Sequence, residues 1–352
     1  MGKHESYMRR CLYLAEKGIG TSRPNPSVGC VIVWNDTIVG EGYTQAYGGS
    51  HAEVVAIRSV KNPEVLKEAT MYVTMEPCSH FGKTPPCADL IVKHKIPNVY
   101  IGVIDTFSKV AGRGVKRLQD AGCNVVTGLL EADCYRHHKR FFSVQNQKRP
   151  YVILKWAQTQ DGFIAPLSKD TNRPVWISSP NVQPIVHKWR SQEHAILVGT
   201  NTAIVDSPVL DIRKWGGLPP IRIVIDRNLK IPTSAPLLDG SIPTMIFTDI
   251  TNKGQEAQSE NLSFEYIDFN SCLATSLCDV LQKRQIQSVL IEGGATMLQT
   301  FINAGLWDEA RVLTGDVSFS EGVLAPVLKN RHVVESFIDN TRFRFYYNAI
   351  NN

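Results

Sequence analysis

The sequence predicts an α/β protein built as two domains, and three observations predict it. Apolar, strand-like runs alternate with amphipathic helical stretches, a pattern that builds layered sheets with helices on both faces. At 352 residues the chain exceeds what one hydrophobic core ordinarily serves. A polar stretch, Gln145-Asn146-Gln147-Lys148-Arg149-Pro150, divides the alternation. The expected domains are residues 1–146 and 149–352.

Taken in order, residues 6–18 read as an amphipathic helix with Met8, Cys11, Leu12 and Ala15 on one face, ended by Gly18 and Gly20. Asn25-Pro26 interrupts the chain before a buried strand, Val28-Gly29-Cys30-Val31-Ile32-Val33, and Asn35-Asp36 turns it into a hairpin with residues 38–42. Residues 51–60 read as a helix with Val54, Val55 and Ile57 inward, which puts His51 and Glu53 at its positive dipole end. A strand at 70–74 delivers Cys78 beside that helix, and Cys87 opens the next. A strand at 98–104, a helix at 113–121, a strand at 124–126 and a helix at 131–142 complete the first half. Ligands are expected at the carboxyl edge of such a sheet.

The second half starts with a strand at 152–156, followed by Thr159-Gln160-Asp161-Gly162-Phe163-Ile164-Ala165. A helix at 180–191 carries Ser178 or Ser179 as its cap and Pro180 early in it. Strands are expected at 194–199, 221–225, 244–248, 288–291 and 310–313, with a helix at 273–284. Phe337, Phe343, Phe345 and Tyr347 mark terminal strands. No G-x-G-x-x-G occurs, so a Rossmann domain is not supported. Glu292-Gly293-Gly294, between strand and helix, is either a tight turn or a place where backbone N–H groups meet a phosphate at the positive end of a helix.

Composition narrows the function classes. With 43% hydrophobic and 20% charged residues the chain is ordinary globular protein. A net charge of +5 is mild, and Arg136-His137-His138-Lys139-Arg140 reads as the polar face of a helix, so nucleic acid is not an expected partner. No apolar run approaches the roughly 18 residues of a membrane span. The first residues lack the apolar core of a signal peptide, although they match the loose myristoylation pattern; the expected location is cytoplasmic. Eight cysteines at these spacings suggest metal binding over a disulfide framework.

The chemistry concentrates at His51, Glu53, Cys78 and Cys87. One imidazole and two thiolates make three ligands for Zn²⁺ and leave the fourth tetrahedral position for water, as in a catalytic site. Glu53 is suited to shuttle protons, as in the H-x-E…P-C-x-x-C pattern of zinc deaminases. Here eight residues separate the cysteines where that pattern has two. The longer loop brings Ser79, His80, Lys83 and Thr84 to the mouth of the site.

These residues resemble the cytidine-deaminase-like superfamily, whose domain is a three-layer α/β/α sandwich. Glu76-Pro77-Cys78-Ser79-His80-Phe81-Gly82-Lys83-Thr84-Pro85-Pro86-Cys87, with Ala111-Gly112-Arg113-Gly114, is similar to the bifunctional riboflavin-biosynthesis deaminase/reductases. In the second half, residues 155–162, 176–180, 200–213 and 290–298 resemble the reductase domain of that family, which has a dihydrofolate-reductase-like α/β fold. The resemblance spans nearly the whole chain. It implies zinc-dependent loss of the 2-amino group from 2,5-diamino-6-ribosylamino-4(3H)-pyrimidinone 5′-phosphate, then NADPH reduction of the ribosyl group to ribityl. It implies that Asn25, His80 and Lys83 hold pyrimidine and phosphate and that Asp105 contributes to the pocket. It further implies NADPH contacts from Ala157, Trp176, Thr202, Asp206, Gly293 and Gly294, and substrate contacts from Arg190, Leu210, Arg213 and Glu292. A homo-oligomer is expected from the same resemblance. Two departures stand out: Thr44 occupies a place where the family often has histidine, and Asp105-Thr106-Phe107-Ser108 replaces Asp-Pro-Asn-Pro.

Two other readings compete. A nucleic-acid deaminase would share the metal pattern but would want a basic, aromatic groove for a flipped base. A scaffold with structural zinc would need a fourth protein ligand, such as His80 or Cys30.

Overall fold

The computed structural model describes residues 2–81, 85–105, 112–167, 175–255, 259–329 and 334–348. The chain divides into two units, Met1–Lys148 and Arg149–Asn352, so the first runs two residues past the expected end.

The first unit opens with α1 (Lys3–Glu16), which buries Met8, Cys11, Leu14 and Ala15. Leu14 takes the deep place expected of Leu12, which packs only at the margin of that cluster. The hairpin forms as expected from β1 (Gly29–Trp34) and β2 (Thr37–Tyr43), paired antiparallel. α2 (Ala52–Ser59) follows, then a 3-10 segment, Pro63–Glu68, that sequence reading passed over. β3 (Thr70–Met75), α3 (Cys87–Lys93), β4 (Asn98–Val103), α4 (Arg113–Asp120) and β5 (Asn124–Thr127) complete an alternating run. The strands form one sheet in the order β2-β1-β3-β4-β5, with β3, β4 and β5 parallel.

Side chains alternate across this sheet, and both faces are covered. Cys30 and Ile32 of β1 and Met71 and Val73 of β3 face α2, α3 and α4. Val31, Val33 and Tyr72 face the other way, toward α1 and α5 (Glu131–His137). The result is the expected three-layer sandwich.

One helix face differs from expectation. α2 buries Ala52, Glu53, Ala56 and Ile57, whereas Val54 and Val55 are only half-buried. The cause lies in β2: a Cβ on Gly42 would sit 2.3 Å from the Ala52 carbonyl oxygen, and one on Gly40 would sit 2.6 Å from that of Ala56. Helix and strand approach so closely that only alanine and glycine fit between them.

The helix expected at 131–142 is interrupted at His138. α6 (Lys139–Phe142) runs on into a π-helical turn, Ser143–Gln147, so much of the expected linker is structured.

The second unit begins with β6 (Tyr151–Gln158) and β7 (Phe163–Ala165). A 3-10 turn, Pro180–Val182, capped by the Ser179 side chain, leads into α7 (Gln183–Gln192). β8 (Ala195–Gly199) runs straight into α8 (Thr200–Val205), a helix not expected from the sequence. β9 (Ile221–Ile225), β10 (Thr244–Asp249), β11 (Leu262–Ile267), α9 (Leu273–Lys283), β12 (Ser288–Ile291), α10 (Ala295–Asn303) and β13 (Glu309–Thr314) follow. β14 (Val323–Leu324) pairs with β7, and β15 (Val334–Ile338) and β16 (Thr341–Tyr347) close the unit.

Nine strands form one sheet in the order β11-β10-β9-β8-β12-β6-β13-β16-β15. It is parallel from β11 through β13, and β16 and β15 add antiparallel at the end. Val152, Leu154, Ala195, Leu197 and Ile223 face α9 and α10, while Ile196, Val198 and Val224 line the opposite face. No helix among the described residues is long and apolar enough to cross a membrane.

A buried ion pair anchors the start of this sheet. Arg149 donates twice to the Asp308 carboxylate, at 2.6 Å each, and the Val152 amide donates to the same group at 2.8 Å. Removing one member strands a buried charge. Asp308→Ala is therefore expected to destabilise the second unit by about 3–5 kcal/mol, read as an early second transition in urea unfolding, with the first transition unmoved.

Candidate active site

The first site is built by the ends of two helices and one strand. His51 is the N-cap residue of α2 and Glu53 is its second residue. β3 ends at Met75, and Glu76-Pro77 carries the chain to Cys78. Cys87 is the first residue of α3. Two helix N-termini thus face the same point, and their positive ends favour thiolate there.

His51 Nδ1 lies 3.6 Å from Cys78 Sγ and 3.4 Å from Cys87 Sγ. All three donor atoms lie within 4.8 Å of one another. The Cys87 amide donates to Cys78 Sγ at 3.3 Å. Cys87's thiol and His51 beside it push the Cys78 thiol far below the ordinary thiol range, while the Cys78 sulfur and burial push Cys87 up. The protein thus favours a thiolate at Cys78 and a thiol at Cys87, and a cation held between them would favour thiolate at both. Among the described residues neither Cys30 nor His80 joins this group.

Glu53 is 3% exposed. Burial pushes its carboxyl up to about 7, and the Cys78 sulfur adds to the rise. A carboxyl with that proton affinity can both accept and return a proton near neutral pH.

These groups open onto a cavity of about 410 Å³. Asn25, Thr44, Tyr47, Glu76, His80, Asp105 and Gln145 are among its walls. Asn25, His80 and Asp105 therefore gather where expected, and Lys83 lies outside the described residues. Thr44 is spent on structure: its hydroxyl accepts from the Val28 amide at 3.0 Å. Sequence reading missed Gln145, which it placed in a linker, and gave Glu76 no role. The Glu76 carboxylate accepts four backbone N–H groups, from Asp105, Gly112, Gly114 and Val115.

The second unit gathers a different set. Glu292 leaves the end of β12, beside β6, which carries Lys155. Arg190 on α7 donates to the Glu292 carboxylate from Nε at 3.0 Å and Nη2 at 2.7 Å, and from Nη1 to the Asp211 carbonyl at 3.2 Å. Lys155 Nζ lies 3.6 Å from Glu292. Burial alone would raise the Glu292 carboxyl, but Arg190 and Lys155 outweigh it and hold it at about 2. Arg213 pairs with Asp211 at the exposed side of this cluster. Leu210 is buried beside them with φ 56. His187, one turn before Arg190, is pushed down to about 4 by burial, and its Nδ1 has no hydrogen-bond partner. Lys155 heads the 155–162 segment but was given no role there, and His187 belongs to no motif; their place is set by the sheet and by α7.

The chain bends at Gly293 between β12 and α10. A Cβ on Gly293 would meet Val198 at 2.9 Å, and Gly294 takes φ 70 as the N-cap of α10. Thr202 lies beside it, 3.4 Å from where a Gly294 Cβ would stand. Trp176 and Asp206 are exposed, and Ala157 packs with Val182, Leu313 and Phe343.

Comparison with known proteins agrees with both halves. Residues 1–103 match the family profile described as cytidine and deoxycytidylate deaminase zinc-binding region, and residues 150–317 match the RibD C-terminal domain. The riboflavin biosynthesis protein RibD of Aquifex aeolicus is 36% identical over 337 residues, covering 94% of this chain and 92% of that protein. RibD of Escherichia coli is 36% identical, covering 87% and 85%. The crystal structure of a diaminohydroxyphosphoribosylaminopyrimidine deaminase/5-amino-6-(5-phosphoribosylamino)uracil reductase from Thermotoga maritima superposes with a TM-score of 0.89, at 31% identity over 99% of both chains. Acinetobacter baumannii RibD gives 0.87, at 30% identity over 98% of both. With a deaminase half, a reductase half and identity at this level across nearly its whole length, the chain belongs to the RibD family of bifunctional riboflavin-biosynthesis enzymes.

Proposed function

We propose that the first unit deaminates 2,5-diamino-6-ribosylamino-4(3H)-pyrimidinone 5′-phosphate and that the second reduces the ribosyl group of the product to ribityl with NADPH. The meeting of His51, Cys78 and Cys87 beside a buried carboxylate carries this reading.

The three donors fit zinc. Tetrahedral angles with Zn–N of about 2.0–2.1 Å and Zn–S of about 2.3 Å put nitrogen and sulfur about 3.6 Å apart, and the distances here are 3.4 and 3.6 Å. Bound there, zinc would supply a Lewis acid that lowers the pKa of water to about 7. Glu53 takes one proton from the attacking water and delivers it to the departing amino group, which leaves as ammonia. Asn25, His80, Lys83 and Asp105 hold ring and phosphate against this point. The cavity is large enough for a nucleotide-sized ligand of this kind.

In the second unit Arg190 and Arg213 suit the substrate phosphate, because a guanidinium fork matches its oxygens. Leu210 and Glu292 complete that wall. Thr202, Asp206, Ala157, Trp176 and the Gly293-Gly294 turn would hold NADPH, with the bare N-terminus of α10 offered to a phosphate. Bound there, NADPH would supply the hydride that reduces C1′. Glu292 fixes Arg190 in place through Nε and Nη2, so the remaining outer N–H groups of the guanidinium would meet an anion already ordered.

Glu53→Gln is expected to keep one zinc per chain and lower ammonia release at least a hundredfold; unchanged release would refute the proton shuttle. Arg213→Ala should raise the KM for the reduced substrate about tenfold while NADPH affinity holds, since only a phosphate contact is lost. Ionised Glu292 stabilises the fold above about pH 4.5, and that contribution fades as pH falls toward 2. The difference in thermal midpoint between wild type and Glu292→Gln should therefore be widest near neutrality and narrow below pH 4.

A further inference from the structure

Among the polar side chains around the first cavity, Glu76 is held by four backbone N–H groups. It is 5% exposed, and both oxygens are occupied by backbone N–H groups. Oε2 accepts from Asp105 at 3.2 Å and Gly112 at 3.0 Å, and Oε1 from Gly114 at 2.8 Å and Val115 at 3.2 Å. These donors come from the end of β4 and the start of α4, so one carboxylate ties together both ends of the segment between them.

The chemistry of the helix start explains why the tie is strong. The first N–H groups of a helix have no partner within it. Gly112, the N-cap residue of α4, has no side chain to supply one. Glu76 does so from a distant part of the chain, and its charge lies at the positive end of α4. The approach leaves no room for a side chain at 114: a Cβ there would lie 2.1 Å from the Pro77 carbonyl oxygen. Glu76 itself is fixed, because its own amide donates to Val103 at 3.0 Å and extends the β3–β4 ladder.

We infer that Glu76 is a positioning residue for deamination: its carboxylate ties the Asp105 backbone to the start of α4 and so sets Asp105 into the cavity wall. This rests on the deaminase reading of the first unit. Glu76 touches no reacting atom in this assignment. It acts by holding the Asp105 backbone at a fixed distance from the Cys78 turn, which follows it directly in sequence. Such a clamp bears on substrate binding more than on the chemical step.

The test uses full-length protein. In Glu76→Gln one oxygen becomes an NH₂ group facing N–H donors, so half the clamp opens. The expected result is a KM for the pyrimidine phosphate raised about tenfold, with kcat little changed. Zinc should stay at one per chain, and amide exchange at Gly114 and Val115 should quicken. A KM within twofold of wild type would overturn the assignment, and so would loss of zinc, which would place the role of Glu76 at the metal. Should the variant not fold, exchange in wild type decides: Gly114 and Val115 exchanging about a hundredfold slower than neighbouring Arg113 supports the clamp, and equal rates overturn it. Wild type that releases no ammonia would refute the deaminase reading instead, while the exchange pattern still decides whether the clamp exists.

Discussion

Two sulfurs and an imidazole nitrogen are brought together here from residues 27 and 9 positions apart in the chain, 51 to 78 and 78 to 87. His51 and the Cys87 thiol favour one thiolate, at Cys78, but a second thiolate beside it would be repelled, and burial disfavours both. The fold imposes the meeting. The α2 and α3 N-termini supply positive ends, and the ladder between β3 and β4 fixes where Glu76, Pro77 and Cys78 leave the sheet. Glu53 follows from the same geometry. As the second residue of α2 it faces inward, where burial raises its carboxyl. The close approach of Gly40 and Gly42 to α2 is thus a functional constraint, because it sets the depth of the helix that carries both His51 and Glu53.

The metal set was legible in the sequence because its chemistry is concentrated in short motifs. A histidine two residues before a glutamate, followed by a Pro-Cys and a second cysteine, restricts the reading without tertiary information. The strands were legible for a related reason: runs such as 30–33 and 288–291 are apolar enough to be buried on both faces. The buried face of α2 was not. Hydrophobic periodicity weighs Val54 and Val55 above Ala52 and Ala56, and it carries no signal that two glycines on another strand demand small partners. Glu76 escaped notice because its four donors lie 29 to 39 residues away. Gln145 escaped because a polar run next to a boundary reads as linker when it is in fact a π-helical turn lining the cavity.

In the second unit, the sheet order could not be read from sequence, since β12 inserts between β6 and β8 from more than 80 residues away. The Arg190–Glu292 pair spans 102 residues and has no local signature. The family resemblance named both residues as ligand contacts. The structure adds that each is already the other's partner, with Lys155 and His187 beside them. An arginine held by a buried carboxylate loses less conformational freedom on meeting an anion than a free one does. At Gly293-Gly294 the close approach of Val198 and the φ of 70 at Gly294 account for both glycines as backbone geometry. As the N-cap of α10, Gly294 offers no side-chain cap.

The most direct test of the central claim is zinc X-ray absorption on purified protein, together with metal analysis. One zinc per chain, with two sulfur neighbours at about 2.3 Å and two nitrogen or oxygen neighbours at about 2.0–2.1 Å, one of them exchangeable with solvent, is the predicted result. A protein without zinc, or a zinc enclosed by four side chains, would contradict it.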